Sequence, residues 1–394
     1  MKLTLSLTAL MAVLGVGLVG PIASGGGEGS IPSPAERKIA AARELIARNP
    51  SKAQGYNDLA MALARRARET AGPSHYDQAD KALAESRKLS PGNLETERID
   101  VWILLGKHEF ARALEKAQAL NRKVPDDVMT YAMLVDAYVE LGQYEKAEES
   151  AQWMINLRPG SVPALTRTAY LRELWGDVEG ALESMNEALE QIPSRESEER
   201  AWVLTHMAHL HLLAGRVDRA QGLAEEALKL FPDYHYALAE LANAYGRRGD
   251  HAREARALED RFRVAPHPEN LFAWAEALAR AGRTNEARSR FAEFERLARA
   301  EMNGPDNANR ELALYLVDHA KRAADAVQIM EREMAWRRDV YTLDVYAWAL
   351  FAAGRKDEAR RHMAAAINVG TIDPQIRRHA TAILGNQPGT SGMK

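Results

Sequence analysis

The chain is 394 residues long, with 52 lysines and arginines against 55 aspartates and glutamates, a formal net charge of −3 and no cysteine. So even a balance argues against the clustered basic surface of a nucleic-acid-binding protein, and the missing thiols exclude disulfides and a lipid-modified cysteine. Length alone suggests two or three domains, but the segments below follow one another without a low-complexity break and form one continuous array.

At the start, Lys2 precedes an apolar run from Leu3 to Val19, followed by Gly20, Pro21 and the small residues Ala23, Ser24 and Gly25. This is the pattern of a secretory signal over residues 1–24, the competing reading being an uncleaved membrane anchor. The run Gly15-Val16-Gly17-Leu18-Val19-Gly20 has the letters of a dinucleotide-binding loop, but no helix opens after it, and Pro21 and a Gly/Ser leader follow. Residues 25–33 form a flexible leader.

Ser33 and Pro34 then supply an N-cap and a first-turn proline ahead of Ile39, Ala42, Leu45 and Ile46, so 34–50 is expected to be a single capping helix stopped at Asn49-Pro50. From 51 to 373 the chain counts: Pro159 to Pro193, Gly142 to Gly176, Ala147 to Ala181, Gly215 to Gly249 and Pro232 to Pro266 are each 34 residues apart. That period identifies a helix-turn-helix repeat. Successive units fall near 53–91, 92–127, 128–161, 162–200, 201–234, 235–267, 268–306, 307–339 and 340–373. The turn glycine and the small residue opening the second helix pair as Gly106 with Ala111, Gly176 with Ala181, Gly215 with Ala220, Gly282 with Ala287 and Gly354 with Ala359. Three units depart from this: the first inserts residues around Ala67–Tyr76 and is expected to have a longer turn, the sixth places Glu254 where Ala belongs, and the eighth has no turn glycine. Residues 374–386, with Ile376, Ala380, Ile383 and Leu384, form a closing helix, and 387–394 a disordered tail.

One unit carries Tyr131, Leu134, Val135, Tyr138, Ala147, Ala151 and Pro159 and resembles the tetratricopeptide repeat over its whole length. The resemblance implies an all-α, right-handed superhelical solenoid of about nine antiparallel helix-turn-helix repeats with terminal capping helices. It also implies that function resides on the concave face lined by the first helix of each repeat, at its second, fifth, ninth, twelfth and thirteenth positions. In the N-terminal half these positions hold Asn57, Asp100, Asp136, Glu140, Thr166 and Glu173, a polar and acidic strip. In the C-terminal half they hold Trp202, His209, Tyr236, Asn243, Phe272, Tyr315, Tyr341, Asp344, Trp348 and Phe351, with Tyr170 at the junction. Aromatics at wet positions are costly unless a partner, a neighbouring repeat or the terminal helix covers them. Tyr341, Asp344 and Trp348 share one helical face and are the foremost candidates.

No phosphate loop, nucleophile elbow or zinc-binding helix motif occurs in the array, so neither enzyme activity nor a cofactor is indicated. His206, His209 and His211 cannot converge on a metal, because His211 leaves the helix nearly opposite to His209; His211 is assigned to packing. The expected ligand is a basic or neutral peptide or protein segment, with a polysaccharide as the alternative, held by a scaffold of the bacterial periplasm or a secreted one.

Overall fold

The computed structural model describes residues 32–304 and 306–385, so the signal segment at 1–24, most of the leader and the tail at 387–394 lie outside the described residues. Among the described residues there are twenty α-helices. The first, α1 (Pro34–Arg48), starts as the sequence demands: the Ser33 side chain accepts from the Glu36 N–H while Glu36 bonds back to the Ser33 N–H. This reciprocal box satisfies two donors that a helix start leaves open.

Nine hairpins follow: α2 (Ala53–Thr70) with α3 (Ser74–Leu89), α4 (Leu94–Gly106) with α5 (Phe110–Lys123), α6 (Val128–Glu140) with α7 (Tyr144–Leu157), α8 (Val162–Leu174) with α9 (Val178–Gln191), and α10 (Ser197–Leu213) with α11 (Val217–Leu230). Then come α12 (His235–Arg247) with α13 (His251–Val264), α14 (Pro268–Arg280) with α15 (Thr284–Glu301), α16 (Asn309–Asp318) with α17 (Ala323–Glu333), and α18 (Val340–Ala352) with α19 (Lys356–Asn368). A single helix, α20 (Pro374–Leu384), closes the array, with Asp373 accepting from the Gln375 and Ile376 N–H groups.

In the third hairpin Gly142 takes a left-handed φ of 69°, and its N–H and that of Gln143 return to the Val139 and Tyr138 carbonyls. This ends α6 without orphaned acceptors and reverses the chain. Ala147 is fully buried, so α7 approaches α6 closely over Leu134, Val135 and Tyr138. A larger side chain there would hold the helices apart.

Departures from the expected pattern have local causes. The extra residues of the first hairpin lengthen α2, to 18 residues, rather than the turn. The Ala/Arg-rich run Ala62–Arg68 consists of strong helix formers, and the helix stops only at Ala71, with φ 50°. In the second hairpin the left-handed residue is His108, not Gly106, and the buried small residue is Ala113; Ala111 is exposed. In the eighth, Lys321 at φ 56° does what glycine does elsewhere. Glu254 keeps its place because Gly246 makes room for it: a Cβ there would stand 2.8 Å from its carboxylate, which Arg280 Nη2 meets at 2.6 Å. Helix α10 starts at Ser197, ahead of the expected 201.

The array does not remain open. Turns within the early hairpins meet loops about five hairpins further on. Arg68 pairs with Glu198, and its carbonyl faces His235 Nε2 at 2.9 Å. His108 lies 3.1 Å from both Asp306 and Arg337. The Arg338 N–H donates to the Glu140 carbonyl, and the Val340 N–H to the Tyr144 hydroxyl. Gly176 allows the fourth turn to sit against the carbonyl of Gly370, 2.8 Å from where a Cβ would be. Successive coils therefore touch, and the concave face becomes the wall of a lumen.

A candidate binding lumen in the first five hairpins

The first helices of hairpins one to five surround a cavity of about 540 Å3. Its apolar wall includes Met61, Trp102, Met129, Met133, Tyr170 and Trp202. Thioethers on flexible stems and flat rings of this kind accept varied side chains at little cost. The charged lining is mostly occupied within the chain: Arg167 grips Asp136 through two bonds of 3.0 and 2.7 Å, and Arg98 reaches Asp127 at 3.3 Å. Among the described residues Asp58, Glu95 and Glu199 have no ion-pair partner, while Arg65 of the lining acts on Glu196. The local excess is acidic, which favours a cationic or neutral guest.

Of the sequence-derived groove residues, the structure brings Asn57, Asp136, Thr166, Tyr170 and Trp202 together on this wall. His209 is buried one turn below, where its Nε2 lies 3.1 Å from Glu173 while His206 Nε2 lies 2.6 Å from the same carboxylate. Burial opposes charge on both groups, and their mutual attraction overrides it: His209 and His206 hold Glu173 down to about 2, and Glu173 with Glu240 pushes His209 up to about 10. His211 is half-buried rather than a core residue, since it sits in the last turn of α10.

The remaining candidates are occupied by the chain itself. Phe272 is buried against Phe291 and Phe294, with centroids 6.0 and 5.1 Å away. Tyr315 stacks on Phe291, and Asn243 donates to Glu240 at 3.2 Å. Tyr341 faces the neighbouring coil; burial together with Glu173, Asp373 and Asp339 pushes its hydroxyl well above the usual range. Asp344 is fully buried and Trp348 lies flat on His379, both beneath α20. The expected C-terminal binding strip is thus a packing surface for the closing helix. The N-terminal acidic strip is likewise satisfied internally: Asn57 accepts from Ser86 and Thr96, and Asp100 pairs with Arg87 and Lys116.

Trp102 and Met133 escaped the sequence reading. Taking Gly106 as the turn set the second unit two residues out of step, which placed Asp100 in the groove; with His108 as the turn, Trp102 takes the ninth, groove-facing position. Among the described residues no group of three or more His, Asp or Glu is disposed to hold a metal ion, and no helix is long and apolar enough to cross a membrane.

A tetratricopeptide-repeat family model matches residues 132–196 and 206–269. Over those two segments the chain matches the tetratricopeptide repeat. It is 28% identical over 124 residues to a TPR repeat-containing protein of Methanocaldococcus jannaschii, covering 31% of this chain and 21% of that one. The chain therefore spans about a fifth of that relative's length. Among solved structures it is similar to the human IFIT1 dimer with PPP-AAAA, at TM-score 0.50 and 14% identity over 85% of this chain and 87% of that one. It is also similar to the human IFIT1 dimer with m7Gppp-AAAA, at TM-score 0.50 and 15% identity over 84% and 85% of the two chains. At such identities the likeness is one of fold: an all-α solenoid of tetratricopeptide repeats.

Proposed function

We propose that the protein is a non-enzymatic protein-interaction scaffold that takes a basic or neutral extended segment of a partner into the lumen of its first five hairpins. The observation that supports this reading most is the cavity of about 540 Å3, whose wall joins methionines and tryptophans to carboxylates without ion-pair partners among the described residues. An extended chain can lay apolar side chains on the former and lysines or arginines against the latter. Repeat scaffolds bind through such concave surfaces.

The test is retention of a basic, apolar-rich peptide library by the wild-type protein and by Met133→Glu and Trp202→Ala. Loss of at least about tenfold in affinity, with helicity preserved, is expected for a lumen anchor. Equal retention by all three moves the site elsewhere, and a tryptophan fluorescence change with oligosaccharide but not with peptide replaces the ligand class. An envelope location rests on the apolar segment 3–19; recovery of the mature protein in the cytoplasmic fraction would overturn it.

A further inference from the structure

The seam between the two coils is crowded with ionisable groups. On the early coil stand Glu140 at the end of α6 and His108 in the α4–α5 turn; on the later coil stand Arg310 and Glu311 of α16, Asp306 before it, Glu333 of α17, and Arg337 and Asp339 in the loop before α18. Glu269 and His267, at the start of α14, complete the set. Six carboxyls thus face three guanidinium groups, the third being Arg261, 3.4 Å from Glu269. Buried carboxylates in such excess cannot all ionise at low cost, so protons must be retained.

Two backbone amides donate across this seam, Arg338 N–H to the Glu140 carbonyl at 2.8 Å and Val340 N–H to the Tyr144 side-chain hydroxyl at 2.9 Å. The seam is also part of the lumen wall. His108 and Phe110 line the cavity, and Arg337 sits 3.1 Å from His108 and 5.6 Å from the Phe110 ring centre.

We propose that this seam is a proton-operated latch on the lumen, closed while Glu140 carries a proton and loosened when that proton leaves. Its role in admitting a partner rests on the binding reading above; the latch itself does not. The charged groups facing Glu140 pull in both directions, and burial is the largest influence. Asp339 opposes its ionisation, Arg337 and Arg310 favour it, and Asp136 on its own helix, itself bound to Arg167, opposes it; Tyr144 of α7 and Tyr170 of α8 stand close enough for Glu140 to raise their own hydroxyls. Burial, then Asp339, push Glu140 up to about 7; burial and Glu269 push Glu311 to about 7, and burial pushes Asp306 to about 6. Burial and the arginines hold His108 well below its usual range, so it remains neutral and does not open the seam under mild acid. A carboxyl raised in the closed state stabilises closure fully below its ordinary value of 4.5 and ceases to do so as pH rises through about 7. Opening therefore grows as pH rises from 4.5 to about 7, by up to about tenfold per pH unit for one linked proton, and levels off above that.

Hydrogen exchange of the Arg338 and Val340 amides, corrected for intrinsic base catalysis, reads this opening directly. Between pH 6 and pH 8 the corrected rate should rise several-fold in the wild type and distinctly less in Glu140→Gln, which keeps the neutral amide at every pH while Glu311 and Asp306 still titrate. Equal corrected rates at the two pH values in the wild type, or the same rise in the Gln variant, overturn the latch. Should Glu140→Gln lose its helicity, spin labels on Glu145→Cys and Arg332→Cys, exposed positions on the two coils of a chain with no native cysteine, give the second readout. A distance distribution that lengthens from pH 6 to pH 8 supports the latch, and an unchanged one overturns it. Neither measurement uses a ligand. A pH-dependent seam with no peptide retained at any pH upholds the latch and overturns the binding reading.

Discussion

His379 of the closing helix places its Nδ1 2.9 Å from Asp344 Oδ1, and Asp344 is wholly buried beneath it. The same imidazole lies on the Trp348 indole with centroids 4.3 Å apart and 5° between planes. One residue of α20 therefore covers two of the three side chains that the sequence offers as the foremost ligand contacts. The aromatic face of the last hairpin, costly to leave wet, is kept dry by the end of the chain itself.

Trp348→Ala should accordingly act on stability. It removes the stack on His379 and the indole bond to Asp318, 3.1 Å long. A loss of about 1–3 kcal/mol in urea unfolding is expected, less than for a fully buried Trp because one edge is solvated. Exchange should rise first across α20, while peptide retention by the lumen of the early hairpins is unaltered. A variant that lost peptide binding but kept its stability would restore the C-terminal face as the site.

The Glu173–His209 pair sets a pH window. Glu173, lowered to about 2, contributes fully above 4.5 and loses its contribution as pH falls through 2; His209, raised to about 10, contributes fully below 6.5 and loses its contribution as pH rises through 10. Their joint contribution is complete between 4.5 and 6.5 and declines on both sides. Glu173→Gln should cost about 3 kcal/mol near pH 6, by leaving the buried His209 imidazolium with Glu240 alone, 3.6 Å away. That cost should shrink toward pH 10, as read from urea midpoints across the range. A cost independent of pH would mean that the pair is not ionised.

Two glycines separate backbone strain from coil contact. Gly142 and Gly215 both adopt left-handed φ, 69° and 74°, but a Cβ on Gly142 would lie 2.7 Å from the Arg338 carbonyl oxygen while one on Gly215 meets nothing within 4 Å. Gly215→Ala should cost about 1 kcal/mol, the strain alone. Gly142→Ala should cost about 2–4 kcal/mol and increase exchange of the Arg338 amide. Equal costs would remove the seam from the balance of forces.

Within a hairpin the limiting contact is Ala147, which has no exposed surface between α6 and α7. Ala147→Leu should overpack this seam by about 1–3 kcal/mol, seen as a lowered thermal midpoint with helicity retained. An unchanged melt would show that the two helices are not in close contact there.

The sequence by itself determined the hairpins. Their code is local: Gly142 to end a helix, Ala147 to let its partner approach, Ser33 and Asp373 to cap the lone helices at either end all act within a few residues of where they stand. Where a residue of another type took over a local role, as His108 does in place of glycine, the register shifted and Asp100 rather than Trp102 was assigned to the groove. Which concave positions remain open was decided only by the tertiary structure. The angle at which each hairpin stacks on the last is small, but it accumulates over about five repeats until the Glu140 carbonyl reaches the Arg338 amide. No single unit encodes that sum. It closed the coil into a lumen, turned the acidic strip inward onto arginines and histidines, and laid α20 over Asp344 and Trp348.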